Sequence, residues 1–168
     1  AVGTAKNVTV SEVALNSRAP LAEQPMSDGI DGPEEVYRAL VMGTGDYLRK
    51  SGFTKALIGL SGGIDSALTA TVAVDALGKD NVVGITMPSR YSSEGSISDS
   101  KKLAENLGLD LWEVPIEPAH QAFTDMLAER FKGTEANVAE ENVQARVRGN
   151  VLMTVSNKFG WIVLTTGN

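Results

Sequence analysis

The sequence predicts an α/β protein built on a parallel sheet with helices on both faces. Three observations carry this. The candidate strands, Ala56–Leu60, Val82–Thr86, residues 111–116 and residues 161–165, are short and largely apolar, without the alternation of a half-exposed strand. The segments between them have helical length and spacing, the rhythm of strands joined by crossovers. Gly52, Gly78, Gly108 and Gly160 fall where those helical patterns stop.

Taken in order, residues 1–32 hold a β-like stretch at 7–13. Pro20, Pro25, Gly29 and Gly32 follow among scattered acids, which reads as tail and linker. The chain is therefore expected to begin inside something larger. Pro33 and the acids Glu34 and Glu35 suit a first helical turn, and Val36, Leu40, Val41, Thr44 and Leu48 run along one side of the helix they open. After the first core strand a helix is expected over residues 65–77. After the second come Met87-Pro88, a serine-rich loop and a helix of about ten residues closing at Leu107-Gly108. The third strand leads to a helix over 119–131, and a polar stretch over 132–139 leads to a long helix over 140–159. Val143, Val147, Val151 and Val155 recur every four residues there and supply its buried side.

Composition narrows the chemistry. The 168 residues carry 15 basic and 21 acidic side chains, a net charge of −6, so no basic stripe is available to neutralise a nucleic-acid backbone. With 42% apolar and 21% charged residues the chain can support a core. Without cysteine there is no thiol nucleophile or Cys-ligated zinc, and one histidine cannot build a multi-His metal site. Any divalent ion must sit on oxygen. No run of about eighteen apolar residues occurs and no signal-peptide pattern opens the chain, so no membrane association is expected and a cytoplasmic address is the default.

The informative stretch is Gly59-Leu60-Ser61-Gly62-Gly63-Ile64-Asp65-Ser66, where the first core strand turns into a helix. Open α/β sheets bind ligands at such carboxyl ends. Gly62 and Gly63 permit positive φ and close approach, so backbone N–H groups can converge on an anion at the helix N-terminus, with the Ser61 and Ser66 hydroxyls beside them. Phosphate is the natural guest. A Walker loop would need a lysine, and a dinucleotide fingerprint would need G-x-G-x-x-G; neither is present. Asp65 stands where a carboxylate would repel phosphate unless a divalent cation bridged them, which predicts magnesium. The plain alternative is a tight turn capped by Asp65.

Ser61-Gly62-Gly63-Ile64-Asp65-Ser66 resembles the pyrophosphate-binding loop of the ATP pyrophosphatases that adenylylate a substrate oxygen. Three further segments select within that group: Met87 to Glu94, Glu141 to Asn150, and Leu164 to Asn168. Together they resemble the synthetase domain of the glutamine-dependent NAD synthetase family, over about residues 33–168. The resemblance implies an adenine nucleotide alpha hydrolase-like, Rossmann-like fold, with ATP and Mg²⁺ as cofactors. The activity it implies is amidation of nicotinic acid adenine dinucleotide by ammonia through an adenylylated intermediate, releasing AMP and pyrophosphate.

The resemblance also implies site residues. Ser61 and Asp65 would be catalytic, with Asp65 on the metal. Gly59 to Ser66, Met87, Arg90 and Thr166 would bind ATP, and Asn142 and Arg146 would bind the dinucleotide. On the residues alone, Met87 equally suits the core, and Arg90 and Glu94 equally suit a solvated loop. Arg148 lies round the helix from Asn142, Arg146 and Asn150 and reads as solvated. His120, behind Pro118, reads as a surface or capping residue.

In the family, Thr165-Thr166-Gly167-Asn168 continues into Lys-Ser-Glu, and an amide-hydrolysing domain with a Cys nucleophile lies upstream. The chain is thus expected to be a fragment whose residues 1–32 are tail and linker of that amidase domain, the source of ammonia. The family forms dimers or larger assemblies, which implies a homo-oligomer. Two alternatives stand beside this reading: another ligase of the group, such as a GMP-synthetase-like enzyme, or a catalytically silent nucleotide-binding fragment.

Overall fold

In a computed structural model of the chain, residues 29, 32–135 and 137–167 are described; the β-like stretch expected at 7–13 lies outside them. Four strands, β1 (Ala56–Leu60), β2 (Val82–Thr86), β3 (Asp110–Glu113) and β4 (Ile162–Leu164), pair in parallel in the order β3-β2-β1-β4. The chain moves outward on one side of β1 and then crosses back to its other side. Around the sheet lie α1 (Gly32–Lys50), α2 (Ile64–Leu77), α3 (Glu94–Leu107), α4 (Glu117–Leu127) and α5 (Val138–Phe159). Asp31–Asn168 forms a compact unit by itself.

Alternation along the strands divides the core into two layers. Ile58, Leu60 and Val82 pack with Ala70 and Ala73 of α2 and Ala104 of α3 on one face. Leu57, Val83 and Ile85 pack with Ile116 and Val147 on the other, where Val143, Val151 and Val155 of α5 join them. Both faces are covered, as expected for strands that are apolar throughout. Each fully buried aliphatic side chain in these layers contributes about 1.5–3 kcal/mol relative to exposure.

Several boundaries differ from expectation for local reasons. β3 ends at Glu113 rather than 116 because the return bond to the Val114 carbonyl would have to come from residue 88, and Pro88 has no N–H, although Val114 N and Ile116 N still donate to Thr86 O and Pro88 O at 2.9 and 3.0 Å. α4 starts at Glu117, since Pro118 suits its first turn, and closes at Leu127 in turns centred on the Leu127 carbonyl. α3 has 14 residues because the Ser93 hydroxyl caps it, accepting from Ser96 N at 3.1 Å. A capping box of Asn137 and Glu140 starts α5 at Val138.

Two expectations about faces are corrected. On the expected side of α1 Leu48 is buried and Val41 and Thr44 are half-buried, but Val36 and Leu40 are 60% and 47% exposed and Gly45 is buried in their stead. A Cβ on Gly45 would lie 3.3 Å from the Ala76 carbonyl, so the missing side chain brings α1 close to α2. His120 is not a surface residue. It is 3% exposed, with Nε2 3.1 Å from the Glu140 carbonyl oxygen, and ties α4 to the first turn of α5.

Candidate functional site

The carboxyl ends of β1 and β2 open into a cleft of about 460 Å³, within the range of small-molecule sites. Gly59, Leu60 and Ser61 supply one part of its floor and Thr86, Met87 and Pro88 the other. Tyr91, Ser92 and the first turn of α3 form a wall, faced by Arg148 and Leu152 of α5. Gly59 keeps the floor low: a Cβ there would lie 3.3 Å from both Leu152 Cδ1 and Met87 Cε. Met87 is 7% exposed within the core layer and also lines the cleft.

At the cleft's edge the loop turns into α2. Gly62 has φ +78°, and a Cβ on it would come 2.5 Å from the Ser96 carbonyl oxygen, so only glycine lets this turn rest on α3. Gly63, the other glycine of the pair, sits at φ −87° as the N-cap of α2 and needs no left-handed conformation. The Ser61 hydroxyl accepts from Gly63 N at 3.3 Å. Ser66 is buried; its hydroxyl donates to Gly63 O at 3.0 Å and accepts from Ser61 N at 3.3 Å. Ser66 therefore braces the turn, and Ser61 is the exposed hydroxyl of the two.

No side chain caps α2, in contrast to α3 and α5. The first-turn N–H groups of Ile64, Asp65 and Ser66 have no carbonyl within the helix, so they remain donors at the positive end of its dipole. Ile64 is 81% exposed, and Asp65 beside it is exposed in the same turn. Among the described residues no three His, Cys, Asp or Glu side chains gather as a metal cage. One carboxylate beside a turn that offers free N–H donors still suits Mg²⁺, which is commonly held by one or two carboxylates, substrate phosphates and water.

A second hollow of about 530 Å³ adjoins the cleft and shares Tyr91 and Arg148 with it. Its other lining includes Asn137, Glu140, Glu141 and Gln144. Gln144 is buried on α5, and its Oε1 accepts from the Ser89 hydroxyl at 2.8 Å, fastening the loop after β2 to the helix. An edge contact between the rings of Tyr91 and His120, 6.2 Å apart, ties the shared wall to α4.

The remaining candidates are placed unequally. Arg90 lines neither hollow; Nε donates to Glu117 Oε1 at 2.7 Å, and Nη2 donates to Glu117 and to Gln121 Oε1. Those bonds raise the affinity of the guanidinium for its proton and hold the Glu117 carboxyl below the usual range. Asn142 and Arg146 are exposed and also line neither hollow, as does Thr166 beyond β4. Arg148 reverses its expected placement: it is half-buried and borders both. The serine cluster after Met87 was the available signal for the α3 wall, whereas nothing in the sequence singled out Leu152 or Tyr91 for the cleft.

The fold and sequence have known counterparts. A family model described as NAD synthase matches residues 36–168. The glutamine-dependent NAD(+) synthetase of Thermotoga maritima is 54% identical over 135 residues, 80% of this chain and 23% of that protein. Its namesake from Synechocystis is 53% identical over 148 residues, 88% of this chain and 26% of that one. Among solved structures, a glutamine-dependent NAD+ synthetase from Acinetobacter baumannii in complex with ADP aligns with a TM-score of 0.82 at 42% identity, over 88% of this chain and 28% of that one. An NMN synthetase from Francisella tularensis aligns at 0.72 and 32% identity, over 83% and 56%. The chain spans about a quarter of the length of these curated relatives.

Proposed function

The chain belongs to the NAD synthase family, and from that premise we propose that it carries the nucleotide-activating part of an ATP-dependent amidation of nicotinic acid adenine dinucleotide. The observation that supports this most is the uncapped N-terminus of α2 beneath a braced glycine turn, at the rim of a cleft floored by two strand ends. In this reading the adenosine occupies the cleft along Gly59, Leu60 and Met87. The terminal phosphates meet the glycine turn at Ser61 and the free N–H groups of Ile64, Asp65 and Ser66. Asp65 would hold Mg²⁺, whose chemistry is to neutralise charge on the departing pyrophosphate.

The reaction then needs no protein nucleophile. A carboxylate oxygen of the acceptor attacks the α-phosphorus of ATP, and the bond from that phosphorus to the bridging oxygen breaks, so that pyrophosphate departs with the electron pair. Ammonia attacks the resulting acyl carbon, the bond to AMP breaks, and one N–H proton is released. The turn supplies donors fixed in advance of the charge they meet, and holding the reactants together removes much of the entropic barrier.

Asn142, Arg146 and Thr166 take their ligand roles from the resemblance, as does Arg90, which reaches phosphate only by leaving Glu117 and Gln121. Residues 1–32 are proposed as tail and linker of an amidase domain that delivers ammonia, and the family's self-association is proposed for the whole cytoplasmic protein. No helix among the described residues is long and apolar enough to cross a membrane.

The test is formation of AMP and pyrophosphate from ATP, Mg²⁺, ammonia and nicotinic acid adenine dinucleotide, followed chromatographically. Nicotinic acid mononucleotide and xanthosine monophosphate are offered in parallel. Preference for the mononucleotide would align the chain with its NMN synthetase neighbour, and preference for the xanthosine acceptor with a GMP-synthetase-like ligase. Calorimetric ATP binding without turnover on any acceptor would leave a nucleotide-binding module.

A further inference from the structure

Arg148 is the single charged side chain among the residues lining the cleft, and the wall that it shares with Tyr91 also borders the second hollow. Of the other arginines weighed for the site, Arg90 is held by Glu117 and Gln121, and Arg146 lines neither hollow. Among the described residues Arg148 is also the one cation on the second hollow, so a carboxylate that reaches the shared wall has no other positive charge to meet. Glu141 is exposed on its lining, and Glu140 keeps its charge, since the N–H of Asn137 donates to its carboxylate at 2.8 Å and holds that carboxyl below the usual range.

From this arrangement we infer that Arg148 is the catalytic arginine at which two anions meet: the α-phosphate of a nucleotide in the cleft and the carboxylate of an acceptor entering from the second hollow. The inference rests on the proposed amidation and adds to it a residue and a direction of approach. Like-charged groups must come within bonding distance for the carboxylate to attack, and a guanidinium can donate to both at once through its planar fork. Gln144 and Ser89 hold the loop that carries Tyr91 against the helix that carries Arg148. Its contribution is greatest when the acceptor oxygen and phosphorus are closest, so its removal reduces turnover more than nucleotide affinity.

The purified protein is compared with Arg148→Met, Arg148→Lys and, as a surface control, Lys101→Met, which breaks an exposed pair with Glu113. Turnover of each acceptor is measured with KM for ATP and for the acceptor, and ATP affinity is measured by calorimetry. Arg148→Met is expected to lower kcat by about 100-fold, as for loss of one donor to a developing charge, with a KM for ATP within about threefold of the parent. Arg148→Lys is expected to recover about tenfold, because charge returns without the fork. Lys101→Met should match the parent. Turnover of Arg148→Met within twofold of the parent overturns the inference while leaving the amidation intact. Equal losses in Arg148→Met and Lys101→Met overturn it too. If the parent binds ATP but amidates none of the acceptors, the proposed function falls and takes this inference with it.

Discussion

At the scale of single residues, Gly62 and Asp65 separate shape from charge. Gly62 combines φ +78° with a backbone neighbour where a Cβ would stand. Gly62→Ala should cost about 1–3 kcal/mol, since the Ser96 backbone must yield, and urea unfolding would measure it. ATP affinity should fall in the same variant as the turn lifts from α3. Asp65 is exposed and lies outside both core layers. Asp65→Ala should therefore leave the unfolding free energy within about 0.5 kcal/mol of the parent and abolish ATP–pyrophosphate exchange. Near-normal exchange in that variant would remove the carboxylate from the proposed chemistry. Both residues were legible in the sequence because a glycine pair and an acid at a strand-to-helix junction have few other uses. Arg148 was not: spacing on α5 separates its stripes but does not say which one faces the cleft.

At the scale of elements, two contacts outside the cleft determine how helices are held. The Glu140 carbonyl only accepts, so His120 carries its proton on Nε2, and Nδ1 is left buried without a partner among the described residues. His120→Ala should cost about 2–3 kcal/mol through the lost bond and the space left behind. His120→Gln, whose amide can occupy the Nε2 position, should cost about 1 kcal/mol or less. Equal losses for the two variants in urea would show that volume alone matters there. Sequence could not announce this contact, because the partner is a backbone atom twenty positions away.

The second contact joins α1 to α2. Tyr37 donates to Asp75 at 2.5 Å; that hydrogen bond first, then burial and the carboxylate's charge, push the phenol up to about 12. A phenol in the unfolded chain ionises near 10. The raised value means that the folded state holds this proton more tightly, so the contact's contribution is complete below about pH 10 and disappears as pH rises through about 12. Ultraviolet titration should find one tyrosine ionising near 12, and Asp75→Asn should bring it back toward the ordinary range. Helix α1 itself was legible from its proline and acids. Its buried face was legible only at Leu48, because the other buried residue, Gly45, has no side chain to enter a periodicity count.

At the scale of the whole molecule, the sheet was the most legible feature. β1 and β2 coincide with their expected ranges, since strands covered on both faces have no polar positions to blur their ends. β3 was overextended because extended pairing persists past Pro115 without a continuous ladder. The order β3-β2-β1-β4 makes β1 the strand where the chain reverses its direction of travel across the sheet, and the glycine turn leaves from that strand. Asp31–Asn168 has its own two core layers, so a polypeptide beginning at Asp31 should unfold cooperatively in urea at the midpoint of the entire chain. A lower midpoint would assign residues 1–30 a share in stabilising it.

Val147 and Arg148 are consecutive, about 100° apart round α5. One is sealed beneath the sheet and the other stands on the rim. A substitution that changes volume under this helix moves the rod as a rigid piece, and the guanidinium travels with it. Natural variation in the interior is thereby subject to selection at the rim, and an engineer who repacks one inherits an alteration of the other.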